Sequence, residues 1–239
     1  MKKNYEMDMC SGPILGKLLT FTIPLIFSGI LQLLFNAADV IVVGRFAGSQ
    51  SLAAVGSTTA LINLMINIFI GLSVGVNVIV ARYYGAKREK DVQDTIHTAM
   101  ALSIVSGLFL IILGQLLSRP MLELMGTPDD VIDKSTIYMR IIFIGMPANM
   151  IYNFGSAILR AVGDTKRPLY FLTAAGVINV VLNLFFVIMF RMDVAGVALA
   201  TAISQAISAF LVILCLMESE GGLKLHLKDL KIHRSKFRQ

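Results

Sequence analysis

The chain has 239 residues, of which 56% are hydrophobic and 15% charged, with a mean hydropathy of +0.76 and a formal net charge of +6. Soluble domains carry nearer a quarter charged residues, so this composition belongs in a bilayer. The basic residues cluster in short segments between apolar runs instead of covering a polar surface, which excludes nucleic acid as a partner and reads as membrane topology.

Residues 1–16 form a polar amino-terminal tail, too long before the first apolar run for a cleaved signal peptide. A helix needs about 20 apolar residues to cross the ~30 Å hydrocarbon core. Six segments qualify: 18–43, 52–81, 95–117, 137–158, 169–190 and 194–217. They predict an all-α, polytopic membrane protein whose six transmembrane helices occupy residues 17–217, followed by a basic linker at 218–239. Six spans put both ends on one side. Sixteen of the 21 Lys and Arg fall on the side of the termini, so both termini are expected in the cytoplasm and the chain in the inner (cytoplasmic) membrane.

The first span holds Asp39, the only acidic residue inside any of these apolar runs. A carboxylate at the centre of a spanning helix costs roughly 2.5–3.5 kcal/mol, so one that is retained is expected to face a polar cavity and bind something. It lies about 33 Å along the helix axis from Lys17, in the outer half of the membrane. Gln32 and Asn36 lie close to the same face and either extend a polar wall into a cavity or join neighbouring helices. Pro24 removes one backbone bond from this helix and reads as a hinge or, as is more common for such a proline, a static kink.

Ahead of the fourth span, Thr127-Pro128-Asp129-Asp130 reads as an N-cap, a proline at the first helical position and acids in the first turn. Pro147 inside that span offers the same two readings as Pro24. Met146, Met150 and Met189 either line an adaptable apolar pocket or pack the core. In the fifth span Asn179 and Asn183 are four residues apart and share a face, and Thr201 of the sixth reaches a similar depth. A carboxylate, two amide oxygens and a hydroxyl are hard ligands suited to Na+, and the carboxylate alone can hold a proton instead. The two amides and the hydroxyl read equally as hydrogen-bonding glue between helices, at about 0.6 kcal/mol each.

After the last span, Leu223 to Lys231 alternates apolar and basic residues, the pattern either of a membrane-surface segment or of a solvated linker. Cys10 and Cys215 are too far apart to suggest a disulfide framework or a metal site, and His97, His226 and His233 have no metal spacing. No nucleophile with a partner base, phosphate loop or paired carboxylates is present, so neither enzymatic catalysis nor a cofactor is expected.

Ile23-Pro24-Leu25, Gln32, Asp39 and Val43-Gly44-Arg45, followed by Ser51-Leu52-Ala53-Ala54-Val55-Gly56, resemble the first hairpin of the multidrug and toxic compound extrusion (MATE) transporters. Ala81 to Ala86, Leu159 to Pro168 and Asn179-Val180-Val181-Leu182-Asn183 continue the resemblance in order along the chain. The resemblance implies two six-helix lobes around a cavity that opens alternately to either side. It also implies export of cationic or amphipathic small molecules in exchange for H+ or Na+. By position, Asp39 matches the family's coupling carboxylate, Asn179 and Asn183 a pair that is often Asn then Asp, and Thr201 a polar position of the sixth helix. With Asn183 neutral the site carries one formal charge, which favours a proton or a weak Na+ site. This chain resembles one such lobe, the amino-terminal one, so its expected partner is a carboxy-terminal lobe of the same gene or a second six-helix chain. Relatives in the same superfamily handle lipid-linked saccharides, but Arg140, at one end of the fourth segment, is the single Lys or Arg inside the six segments to meet phosphate. A non-transporting scaffold is the remaining alternative.

Overall fold

With no water in the hydrocarbon core, a spanning backbone must satisfy its own polar groups, and in a chain this apolar that leaves the helix. The structure, a computed structural model, describes residues 14–232 and residue 236. The tail with Lys2, Lys3 and Cys10, together with His233, Arg234 and Arg238, lies outside the described residues. Among the described residues seven α-helices follow one another: α1 (Ile14–Phe46), α2 (Ser49–Gly85), α3 (Glu89–Leu124), α4 (Asp129–Ile144), α5 (Met146–Ala161), α6 (Lys166–Leu184) and α7 (Asp193–Glu218). A π-helical turn, Phe185–Met189, prolongs α6. No strand occurs among the described residues. Five of the helical segments are long and apolar enough to cross a membrane, and α4 with α5 makes a sixth span bent by 47°.

The bend has a chemical cause and a steric one. Pro147 has no N–H for the carbonyl of Phe143, four residues earlier, so the ladder breaks at Gly145 and α5 starts afresh. Gly107 of α3 then admits Pro147, since a Cβ there would lie 2.3 Å from the Pro147 Cα. One and two turns away the same economy recurs. A Cβ on Gly114 would overlap the Phe143 ring, and one on Gly155 would overlap Val212 of α7. Small residues let spanning helices approach closely where there is no hydrophobic drive between them, and here they draw α3 and α7 against α5. The core of the lobe is accordingly centred on α5, whose Met146, Met150, Phe154, Ile158 and Leu159 are fully buried. By contrast α1 packs chiefly on α6 and leaves Ile26, Phe27, Leu33 and Ile41 exposed on its other faces.

Most hydroxyls inside the spans are satisfied within their own helix. Thr58, Ser73, Ser103, Ser204 and Ser208 each donate to a carbonyl three or four residues earlier. At the start of α4 the outcome differs by one residue from the expected N-cap. Pro128 is extended (ψ 145°) and sits before the helix, its carbonyl accepting the Val131 and Ile132 amides at 3.0 Å, while Asp129 and Asp130 occupy the first turn. At the start of α6 the buried Asp164 accepts the Lys166 and Arg167 amides at 3.1 Å and pairs with the Arg167 side chain, anchoring the turn. Arg167 also donates to the thiol of the buried, free Cys215, 3.2 Å away.

After α7 the chain folds back onto the bundle. The alternation at 223–231 is resolved by Leu223 and Leu225, which are 4% and 2% exposed and join the core. The Leu225 amide donates to the Leu216 carbonyl at 3.0 Å, and the His226 amide donates to His97 Nε2 at 3.1 Å. His97 Nδ1 meets the Gln93 carbonyl at 2.8 Å, and the His97 and His226 rings stack with centroids 6.2 Å apart. The two histidines, unrelated by sequence spacing, thus meet as a docking point for this segment.

Candidate functional site: a carboxylate–amide network between three spans

Asp39 sits near the carboxy-terminal end of α1 on the side that faces α6. The two helices reach each other because a Cβ on Gly176 would lie 1.9 Å from the Phe35 ring. One turn beyond Phe35, the Asn183 Nδ2 group donates to Asp39 Oδ1. The same Nδ2 donates to Asn179 Oδ1 at 3.2 Å, and Asn179 Nδ2 donates to Thr201 Oγ1 of α7 at 3.3 Å. The structure therefore brings together Asp39, Asn179, Asn183 and Thr201 in one chain of hydrogen bonds. Asn179 and Asn183 are 4% and 0% exposed. Asn183 Oδ1 is buried and has no hydrogen-bond partner, which leaves an oxygen acceptor inside the network for a proton donor or a cation.

Tyr138 of α4 was not singled out by sequence reasoning, yet it is buried and close enough to Asp39 to interact with it electrostatically. A lone tyrosine near the end of an apolar run looks like an interfacial anchor, but this one lies on the buried side of α4. Gln32 and Asn36 are exposed on α1 and extend its polar face from Asp39. Met146 and Met150 are not on that surface. Both are wholly buried against the other helices of the lobe, so the cavity-wall reading is corrected to core packing; the bend at Gly145 carries them into the centre of the bundle. Met189, in the π turn, is 72% exposed. Pro24 is buried within an unbroken α1, and Ser28 Oγ donates to its carbonyl at 2.8 Å.

The Phe35–Gly176 contact registers the two helices that hold the network. Gly176→Val is expected to lower the thermal stability of the protein by about 1–3 kcal/mol through overpacking. Phe35→Ala in the same background is expected to recover most of the loss. A double-mutant cycle by thermal unfolding checks it, and additive effects would refute the contact.

A six-span bundle with an ionisable group held between its helices has the architecture of a membrane transporter lobe. The MatE family model matches residues 24–185, and the chain belongs to that family. It is 35% identical over 198 residues to the probable multidrug resistance protein YoeA of Bacillus subtilis (strain 168), an alignment covering 81% of this chain and 42% of YoeA. A crystal structure of MATE in the bent conformation superposes with a TM-score of 0.85 at 25% identity, covering 93% of this chain and 50% of that one. A crystal structure of MATE in the straight conformation gives 0.83 at 25% identity, covering 93% and 49%. The chain thus spans about half the length of the curated relatives it matches.

Proposed function

We propose that this chain is the amino-terminal lobe of a cation-coupled antiporter that exports organic cations and other amphipathic small molecules. Asp39, Asn179, Asn183 and Thr201 hold the coupling ion, H+ or Na+. The observation that carries this reading is the hydrogen bond from Asn183 to Asp39. It ties the one intramembrane carboxylate to the amide pair of α6 while the Asn183 carbonyl oxygen stays unpartnered. A proton on Asp39 would donate to such an acceptor, and Na+ would take the same oxygens as ligands, so either ion removes the negative charge that a cationic substrate would meet. Exclusive occupancy by ion or substrate then gives exchange.

The exposed Gln32 and Asn36 continue this face as a cavity wall. Pro24, with the missing backbone bond between the inner end of α1 and Asp39, is the hinge. A multidrug-resistance relative accords with drug export, and solved MATE structures in bent and straight conformations accord with a bending element. The cavity needs a second lobe, supplied by the same gene or by another six-helix chain. Both termini lie in the cytoplasm, following the basic residues.

The test is drug accumulation in efflux-deficient cells expressing the chain alone or joined to the coding sequence that follows it, with Asp39 intact or in the Asp39→Asn variant. Export that needs both the second lobe and Asp39 is the expected result. Export that survives Asp39→Asn would refute coupling through this site, and absence of export from every form would favour a non-transporting scaffold.

A further inference from the structure

The segment that follows α7 has a second face. Its leucines at 223 and 225 are spent on the core, and Leu230 is half-buried against it, so the residues between them turn outward. Lys224, Lys228 and Lys231 are exposed, and the large apolar side chains of Leu227 and Ile232 are 49% and 48% exposed beside them. Asp229 is the acid in this row. The segment is pinned at three points. Leu225 bonds the last turns of α7, His226 bonds His97 near the start of α3, and Gly222 lies so close to Glu89 that a Cβ would sit 2.6 Å from the Glu89 carbonyl oxygen. Lys236 reaches Asp91 and the Tyr83 ring, 4.1 Å from its centroid.

This docking fixes the level of the segment. The apolar runs of α7, α2 and α3 end close to Leu216, Tyr83 and His97, which puts the row of lysines at the level expected of the lipid headgroups. The turn between α2 and α3 adds Arg82, Lys87 and Lys90, all exposed and none in an ion pair among the described residues, whereas Arg88 is paired with Asp91 at 2.6 Å. Of the acids at this end, Glu218 and Glu220 precede the docked segment, Asp91 is paired with Arg88 and Lys236, the buried Asp164 is paired with Arg167, and Glu89 and Asp94 lie in the first turns of α3. Basic residues at headgroup level with apolar side chains between them match an anionic membrane surface, which takes the charge at the phosphates and the leucine and isoleucine between the headgroups.

We infer that the docked segment Leu223–Ile232 is a binding platform for anionic lipid headgroups, built by its attachment to α3 and α7. The platform does not depend on which leaflet it meets, so it stands apart from the transport reading. Attachment matters because it holds three lysines outward in fixed register. A free linker of the same composition would sample all orientations.

The test is site-specific photo-crosslinking from benzoylphenylalanine at position 227. The complete protein is reconstituted in vesicles of equal phosphatidylglycerol and phosphatidylcholine, and the attached lipid is identified by mass spectrometry. Phosphatidylglycerol is expected to exceed phosphatidylcholine by at least about fivefold, the factor expected per basic residue at an anionic surface. Replacing Lys224, Lys228 and Lys231 together with Gln, which leaves the buried leucines and the fold untouched, is expected to bring the ratio close to one. Leu225→Asp, which undocks the segment, is expected to reduce it likewise. Equal capture of the two lipids by the native protein would overturn the inference. So would a ratio unchanged by the lysine replacements, or one that persists after undocking.

Discussion

Gly107→Ala is expected to lower the thermal unfolding midpoint of the complete protein markedly, whereas Gly71→Ala is expected to leave it unchanged or raise it. Both substitutions add one methyl group to the interior of a spanning helix, and both remove the entropic cost of a helical glycine, about 1 kcal/mol. They differ in what the methyl meets. At Gly71 nothing lies within 4 Å. At Gly107 the new carbon would lie 2.3 Å from the Pro147 Cα and 2.9 Å from its nitrogen. Those are backbone atoms, which no rotamer change can move, at the point where the fourth span bends. To admit the methyl, α3 must withdraw from α5, and the buried side chains of Met146 and Met150 lose their packing. Overpacking of this kind costs about 1–3 kcal/mol, and more where backbone must shift. Equal midpoints for the two variants would show that the bend does not depend on the glycine notch.

Asn183→Asp is expected to convert the transporter to strong sodium dependence, with apparent affinity for Na+ rising at least about tenfold, since carboxylate count tunes hard-cation sites over several decades. The amide of Asn183 now donates to Asp39, and a carboxylate in its place has no hydrogen to offer. Two carboxylates in hydrogen-bond contact inside a low-dielectric bundle repel strongly, and a cation or a shared proton between them removes the repulsion. Asn179 and Thr201 supply the remaining oxygens without rearrangement, being already joined to each other. Measuring drug export against external Na+ at fixed pH tests this. A sodium response unchanged from the native protein would count against an ion site at position 183.

Much of the network was legible in the chain because each member broke a local rule. Asp39 is a lone acid in an apolar run, and Asn179 and Asn183 are amides at helical spacing, so their shared face follows from geometry alone. That they meet α1, and that Thr201 completes the row, rested on depth along straight helices, which the close approach at Gly176 preserves. Tyr138 and the two methionines were not legible in this way. The two methionines follow Gly145, and a proline in a sequence announces a bend without its direction, while nothing in the local pattern around Tyr138 says which side of α4 faces the bundle. The histidine pair lay further out of reach, since 129 residues separate partners joined only by the return of the chain after α7. In the same segment the alternation of leucine and lysine was visible, but periodicity does not say whether leucines are spent on lipid or on protein.

The π turn at Phe185–Met189 makes the fifth span sensitive to reading length. Each residue in an α-helix advances the chain by about 100°, and a π turn holds one more residue per turn than its neighbours expect. Removing a single codon there would restore regular winding and swing everything beyond it around the axis. Phe186, which packs against Gly196 at the start of α7 and whose carbonyl accepts the Met192 amide at 3.1 Å, would lose both contacts. The reversal that follows, where Arg191 and Asp193 adopt left-handed backbone with φ of 53° and 56°, would no longer deliver α7 alongside α6. Thr201 would then face away from Asn179. In-frame deletions of one residue between Asn183 and Asp193 should therefore be far less tolerated than substitutions at the same codons.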